Sequence, residues 1–132
     1  MRSLHPLLLP LVILVPVNIF AQDRFGARDG EISFFSSTPF EDIKAENHKV
    51  ASVYDVPTGT IEFSALIKAF EFPKAMMQEH FNEDYLESDK YPKATFKGNL
   101  TVAPGDDPGK AGRHAVKVEG DLVLHGVTRH IT

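Results

Sequence analysis

Three histidines and a run of acidic residues are the side chains that could do chemistry in this chain. His80, His125 and His130 could bind a metal ion, assisted by Glu79 or Glu83. His125 and His130 stand five positions apart, however, so an unbroken strand would direct them to opposite faces. The chain also has no His-x-His or His-Glu-x-x-His spacing. We therefore predict no metal ligand and no cofactor, and we interpret His125 as a turn residue whose ring nitrogens bond backbone groups.

The acidic residues between positions 79 and 89 could supply a general acid and a general base. They are Glu79, Glu83, Asp84, Glu87 and Asp89. Neither a nucleophilic serine motif nor a glycine-rich phosphate loop accompanies them, which favours a solvated helix face. Lys93 and Lys97 could meet an anionic head group, but solvated surface lysines are the simpler interpretation. We predict no catalytic residue and no enzymatic activity.

Residues 1–21 have the layout of a secretory signal peptide. Arg2 and His5 begin the chain, residues 7–17 form an apolar run, and Ala21 precedes the polar Gln22. The run contains prolines and is shorter than the roughly 20 apolar residues of a membrane helix. We predict cleavage after Ala21, a single mature domain over residues 22–132, no stable membrane anchor, and a periplasmic or secreted location.

Composition excludes several classes of protein. The chain has 14 basic and 18 acidic residues, and removal of Arg2 with the signal peptide makes the remainder more acidic still. Such a charge balance is unsuited to nucleic acid, which is bound by neutralising phosphates. The absence of cysteine excludes disulfides and thiolate metal sites. Ten phenylalanines without a tryptophan indicate a core of medium-sized aromatic side chains. Oligomeric state is left open.

Apolar residues that alternate with polar ones predict antiparallel strands with one dry face. The clearest strand lies at 116–124, where positions 117, 119 and 121 are charged. Further strands are predicted at 31–36, 60–68 and 94–102, and a weaker one at 42–54. A bulge or break near Lys68 would bring Phe70 and Phe72 inside. The His125-Gly126 pair interrupts the pattern before a strand that begins at Val127.

One segment has helical rather than strand periodicity. Pro73 suits a helix start, and Met77, Phe81 and Tyr85 recur at i, i+4 and i+8. The chain is therefore predicted to be all-β with one short helix. Strands with a single apolar face can close into a barrel or stack as a sandwich, and composition does not decide between them.

Three segments, 79–81, 87–97 and 120–128, resemble the YceI-like family of exported lipid-binding proteins. In that family a helix ends in a short acidic stretch, followed by Lys-Tyr-Pro and a strand of Ala-Thr-Phe-Lys type, here 90–92 and 94–97. A Gly-Asp-Leu-x-Leu-His-Gly-Val-Thr run follows later, here 120–128. The resemblance reaches from about Gly30 to the end and is weak before Phe72.

The resemblance implies a lipocalin-like antiparallel β-barrel that holds an isoprenoid or other amphipathic chain. The family has further strands after the motif that ends at Thr128 in this chain. We therefore expect the domain to be C-terminally incomplete, truncated before its final strands. The residues expected to line the barrel interior are Ile32, Phe34, Ile61, Phe63, Ala65, Ile67, Phe96, Leu100, Val118, Leu122 and Leu124. Met77, Phe81 and Tyr85 are expected at the barrel mouth.

These expectations define an exported, non-catalytic carrier or sequestering protein for a long apolar ligand. Burial of the chain would drive binding at about 0.8 kcal/mol per CH₂ group. Two alternatives remain open: a structural or interaction β domain with a filled core, and a metal-dependent enzyme of the cell envelope. The absence of cysteine and of a convergent histidine cluster disfavours the enzyme.

Overall fold

Six antiparallel strands form one sheet whose spatial order follows the chain. The computed structural model describes residues 24–132, so the predicted signal peptide and its cleavage after Ala21 lie outside the described residues. The strands are β1 (Arg24–Ser37), β2 (Asp42–Asp55), β3 (Thr60–Leu66), β4 (Lys93–Val102), β5 (Val116–Leu124) and β6 (Val127–Ile131). The weakly predicted second strand is therefore present, and the first begins seven positions earlier than its alternation indicated.

The register places the predicted interior residues on one face of the sheet. Phe63 lies opposite Phe96, which in turn lies opposite Leu122. Directly opposed residues of an antiparallel pair share a face, so each such row continues across the sheet. The residues of the predicted interior that share this apolar face are Ile32, Phe34, Ile61, Phe63, Ala65, Phe96, Leu100, Val118, Leu122 and Leu124. Ile67 is the exception, because β3 ends before it.

Within the described residues the sheet is open rather than closed into the lipocalin-like barrel that the resemblance implies, and a domain truncated before its final strands is not expected to close. Within residues 24–132, β1 pairs only with β2 and β6 only with β5, so both outer strands are edges. Part of the apolar face is consequently open to solvent: Ile32 is 38% exposed and Leu124 39%. The alternation indicated the dry face of β3, β4 and β5, but alternation alone carries no information on whether the two edge strands meet.

A bulge in β2 keeps two of its residues on the same face. The pairing steps from Gly30↔Val50 to Ile32↔Asn47, so β2 advances three positions while β1 advances two. The Asn47 side chain is fully buried and donates to the Leu66 carbonyl at 2.9 Å. Its carbonyl oxygen accepts from the Lys49 amide, also at 2.9 Å. These two bonds hold the buried amide in place. The bulge itself explains why residues 42–54 alternate poorly in sequence.

The break predicted after β3 is a short 3₁₀ turn, Ile67–Ala69. The Ile67 amide donates to the Pro92 carbonyl at 2.9 Å, and Glu71 exchanges two backbone hydrogen bonds with Glu46 of β2. This turn shifts the phase of the chain, so that Phe70 becomes buried together with Ala45 and Ile67. Partly buried side chains complete this core: Phe34, Phe72, Phe81, Leu86 and Ala94.

The predicted helix is confirmed but short. α1 (Ala75–His80) continues as one wider π-type turn, Phe81–Tyr85. Phe81 packs against the core. Met76 is largely exposed, and so is Tyr85, although its spacing from Phe81 predicted it on the same apolar side of the helix. No helix within residues 24–132 is long and apolar enough to cross a membrane.

Two glycines face each other where β4 and β5 pair. Gly98 and Gly120 are partners in the register and both are buried. A Cβ atom at Gly98 would lie 2.8 Å from the Phe96 ring, and one at Gly120 would collide with the Lys97 carbonyl and Gly98 itself. These glycines thus permit close approach of two backbones.

Candidate functional site

A cavity of about 630 Å³ lies between the helical segment and the ends of β1 and β2. Its wall is mostly apolar: Phe34, Ile43, Phe72, Met76, Met77, Phe81, Tyr85 and Leu86. Four polar residues complete it: Ser36, Glu41, Lys74 and His80. The site therefore has the composition of a lipid or small-molecule pocket, apolar with a few polar groups.

Stacked phenylalanines make the floor of this cavity. The Phe81 ring lies 4.8 Å from that of Phe72, 5.6 Å from Phe70 and 5.7 Å from Phe34, measured between ring centroids. Phe34 also contacts Phe70 at 5.6 Å and Phe72 at 6.0 Å. Such edge-to-face and offset contacts add to the stabilisation from burial alone. Because these rings pack on one another, the floor is rigid and is part of the fold's core.

The rim, by contrast, consists of side chains with little packing of their own. Met76 is 70% exposed and Tyr85 71%. Met77, between them on the helical segment, is half-buried. Methionine adapts to irregular apolar surfaces because its side chain is unbranched and flexible. The rim can therefore close against a bound chain without disturbing the aromatic floor.

The charged groups of the cavity are joined in pairs. Lys74 forms an ion pair with Glu41, and His80 Nδ1 donates to Asp84 Oδ2 at 2.6 Å. The hydrogen bond to Asp84 raises the pKa of His80, and the negative charges of Asp84, Glu79 and Glu83 add to the rise. Neither basic side chain of the lining is thus free of a carboxylate partner.

The predicted mouth residues Met77, Phe81 and Tyr85 all line this cavity, together with Phe34 from the predicted interior. The other interior candidates lie along the sheet, except Ile67, which lies in the 3₁₀ turn after β3. Phe63 and Phe96 pack at 6.1 Å between ring centroids and border a shallower depression of about 330 Å³. Ala65 and Ile67 are enclosed by protein, at 4% and 1% exposure. Whether any of these residues contacts a ligand stays a prediction.

Ile43, Phe72, Met76 and Leu86 line the cavity and were absent from the predicted site. A sequence signal existed for Phe72, which the predicted bulge or break near Lys68 would bring inside. Ile43 sits in the strand whose alternation the β2 bulge obscures. Leu86 follows the π-type turn, which displaces it from ordinary helical spacing.

The histidines are bound to carboxylates rather than gathered at one point. His125 lies in the β5–β6 turn as predicted, but its Nε2 donates to Glu87 Oε2 at 2.6 Å and not to a backbone group. His130 donates to Glu119 and to Asp121, each at 2.9 Å. Among the described residues no three histidine, cysteine or acidic side chains are arranged to hold a metal ion.

The acidic run likewise divides into separate contacts. Asp84 bonds His80, Glu87 bonds His125, and Asp89 forms an ion pair with Lys68. These carboxylates therefore do not converge on a common point. Lys97 lies on the polar face of the sheet, 3.2 Å from Glu62 and away from the cavity lining.

An antiparallel sheet of consecutive strands, interrupted by one helical segment that covers an apolar cavity, defines a small β domain of one sheet. A family model for the YceI-like domain matches residues 20–132, so the chain belongs to the YceI-like family. No curated protein sequence matches it.

Two solved structures are similar to this chain. One is a polyisoprenoid binding domain from Saccharophagus degradans implicated in plant cell wall breakdown, with a TM-score of 0.59 and 12% identity over 83% of this chain. The other is the Campylobacter jejuni YCEI protein, with a TM-score of 0.46 and 14% identity over 99% of this chain. The chain spans 64% of the length of each. At such low identity the first likeness shows the fold alone.

Proposed function

We propose that this chain is an exported, non-catalytic carrier or sequestering protein for a long apolar ligand, an isoprenoid or another lipid-like chain. Membership of the YceI-like family supports the proposal, as does the polyisoprenoid-binding domain among its structural neighbours. The observation that carries it is the apolar cavity of about 630 Å³ beneath the helical segment. Burial there contributes about 0.8 kcal/mol for each CH₂ group removed from water.

We include the apolar face of the sheet in the same proposal, as an extension of the cavity. Phe34 belongs to both surfaces, so a chain held under the helix can continue along the face that Phe63 and Phe96 form. We further propose that this face becomes a barrel interior when β1 and β6 gain partners. Hydrogen exchange distinguishes the two arrangements. The outward amides of β1 and β6 exchange quickly in an open sheet and slowly in a closed barrel.

Native mass spectrometry of the exported protein tests the binding itself. A co-purified mass that organic solvent removes and that matches an isoprenoid or other lipid supports the carrier. A clean protein mass, together with failure to take up an added polyprenol, would instead favour a structural or interaction domain with a filled core. Sequencing of the same material from its N-terminus tests export, since cleavage after Ala21 leaves Gln22 first.

Variants of the rim identify the site. Combined Met76→Ser and Tyr85→Ser substitutions should weaken polyprenol binding with little loss of stability, because both side chains are largely exposed. Val53→Ser is the matched control, because Val53 is 41% exposed but lies on the polar face of the sheet, opposite Glu62. Equal binding by the rim variant and the control would exclude this cavity as the site.

A further inference from the structure

The polar residues at the cavity determine what kind of polar end a bound chain can carry. The lining contains one carboxylate, Glu41, and two basic residues, Lys74 and His80. Lys74 forms its ion pair with Glu41, so these two charges cancel inside the cavity. His80 Nδ1 bonds Asp84 Oδ2 at 2.6 Å, which cancels the second cation when the imidazole is protonated.

The helical segment adds further negative charge around this opening. Glu79 and Glu83 flank His80 in sequence, are exposed, and act on its imidazole through their charges. The two cations are thus outnumbered by four carboxylates, from Glu41, Glu79, Glu83 and Asp84. An anion that entered would have to displace a carboxylate from Lys74 or His80 and approach the remaining negative charges.

Among the described residues, no basic side chain other than those of Lys74 and His80 lines the cavity. Lys68 pairs with Asp89, and Lys97 pairs with Glu62 on the opposite face of the sheet. Neither lysine lines the cavity. The apolar wall, meanwhile, accepts a hydrocarbon chain whatever group the chain ends in.

We infer that this cavity takes amphipathic chains with an uncharged polar end, such as an alcohol, and discriminates against the same chains ending in phosphate. The inference rests on the proposed function and narrows its ligand class. Ser36 and the paired polar side chains offer hydrogen-bonding groups to a neutral end, whereas a phosphate meets net negative charge at the mouth of the cavity.

Farnesol and farnesyl phosphate form a matched pair of probes, because they share one isoprenoid chain and differ only at the end. We expect isothermal titration at low ionic strength to show farnesol bound more tightly by about tenfold or more. Added salt should narrow the difference, because it screens charges at an exposed mouth. Equal or tighter binding of farnesyl phosphate would overturn the inference and leave the proposed function intact. Failure of both probes to bind would overturn the proposed function, and the inference with it.

Combined Glu41→Gln and Asp84→Asn substitutions test whether the Lys74–Glu41 and His80–Asp84 pairs cause the preference for an uncharged end. They release Lys74 and His80, so binding of farnesyl phosphate should strengthen while that of farnesol changes little. Glu62→Gln is the matched control, since it releases Lys97 from an ion pair on the other face. A ratio of affinities that stays unchanged in the double variant, or that shifts equally in the control, would overturn the inference.

Discussion

Glu87 and His125 share a 2.6 Å hydrogen bond across 38 positions of sequence, and both have a positive φ, 45° for Glu87 and 51° for His125. The bond joins the loop after the helical segment to the β5–β6 turn. The Tyr91 ring packs edge-on against the His125 ring at 4.9 Å and lies over Gly126. The helical segment that covers the cavity is therefore tied to the far hairpin of the sheet.

Substitutions of His125 should separate the contribution of this hydrogen bond to the free energy of unfolding from the strain of the left-handed backbone at His125. His125→Ala loses the hydrogen bond and keeps the left-handed conformation, so we expect a loss of about 1 kcal/mol in the free energy of unfolding. His125→Gly should lose less, since glycine adopts positive φ without strain. Urea denaturation of both variants checks this. A glycine variant less stable than the alanine variant would contradict the conformational argument.

The paired glycines of β4 and β5 should tolerate no side chain. Gly120→Ala places a methyl group against the Lys97 carbonyl and Gly98, and we expect a loss of about 1–3 kcal/mol through overpacking. Gly26→Ala is the control, because its nearest neighbour, the Ser52 carbonyl oxygen, lies at an ordinary 3.5 Å. Thermal melting of the two variants compares them. Equal melting temperatures would show that β4 and β5 can move apart at Gly120 to accommodate the added methyl group.

Period-two alternation predicted the fold well because each strand has one dry face. Residues 116–121 alternate without interruption, and β5 spans Val116–Leu124 as predicted. Residues 42–54 alternate poorly because the Asn47 bulge inverts the phase midway, a feature held by contacts with the distant Leu66. The family resemblance implies a barrel, expected here without its final strands, and the described sheet is open at both edges.

The residues that line the cavity were predicted in part for a similar reason. Met77, Phe81 and Tyr85 repeat every four residues, so their common side of the helix could be read directly. Ile43 and Leu86 reach the same cavity through a bulged strand and a π-type turn, neither of which has a simple period. The partner of His125 could not be found from spacing, since Glu87 belongs to a different segment of the chain.

His130 should make stability depend on pH through the β5–β6 hairpin. Hydrogen bonds to Glu119 and then Asp121 raise its pKa in the folded state. The stabilisation is present in full below the unfolded-state pKa, about 6.5, and is lost as the pH rises through the raised folded pKa. His130→Gln should therefore reduce the fall in stability between mildly acidic and mildly alkaline pH.

Urea denaturation at several pH values measures this difference. Arg129→Gln is the control, because it removes a neighbouring positive charge that does not titrate in this range. The wild-type profile also contains contributions from His80 and His114, whose pKa values are raised by their own partners. Only the difference between the wild type and His130→Gln reports on this histidine, and parallel profiles would refute its role.

Phe81 should contribute both to the stability of the fold and to ligand binding in the cavity, whereas Tyr85 should contribute to ligand binding alone. Phe81→Ala removes a ring that contacts Phe34, Phe70 and Phe72, so we expect a loss of about 3 kcal/mol in the free energy of unfolding. Tyr85→Ala removes a ring that is 71% exposed, and its effect should stay within about 0.5 kcal/mol. Both variants should bind polyprenol more weakly, measured by titration below their melting temperatures.

If Phe81→Ala keeps wild-type stability, the aromatic cluster is not the core that holds the helical segment on the sheet. If it loses stability but binds normally, the floor of the cavity does not contact the ligand.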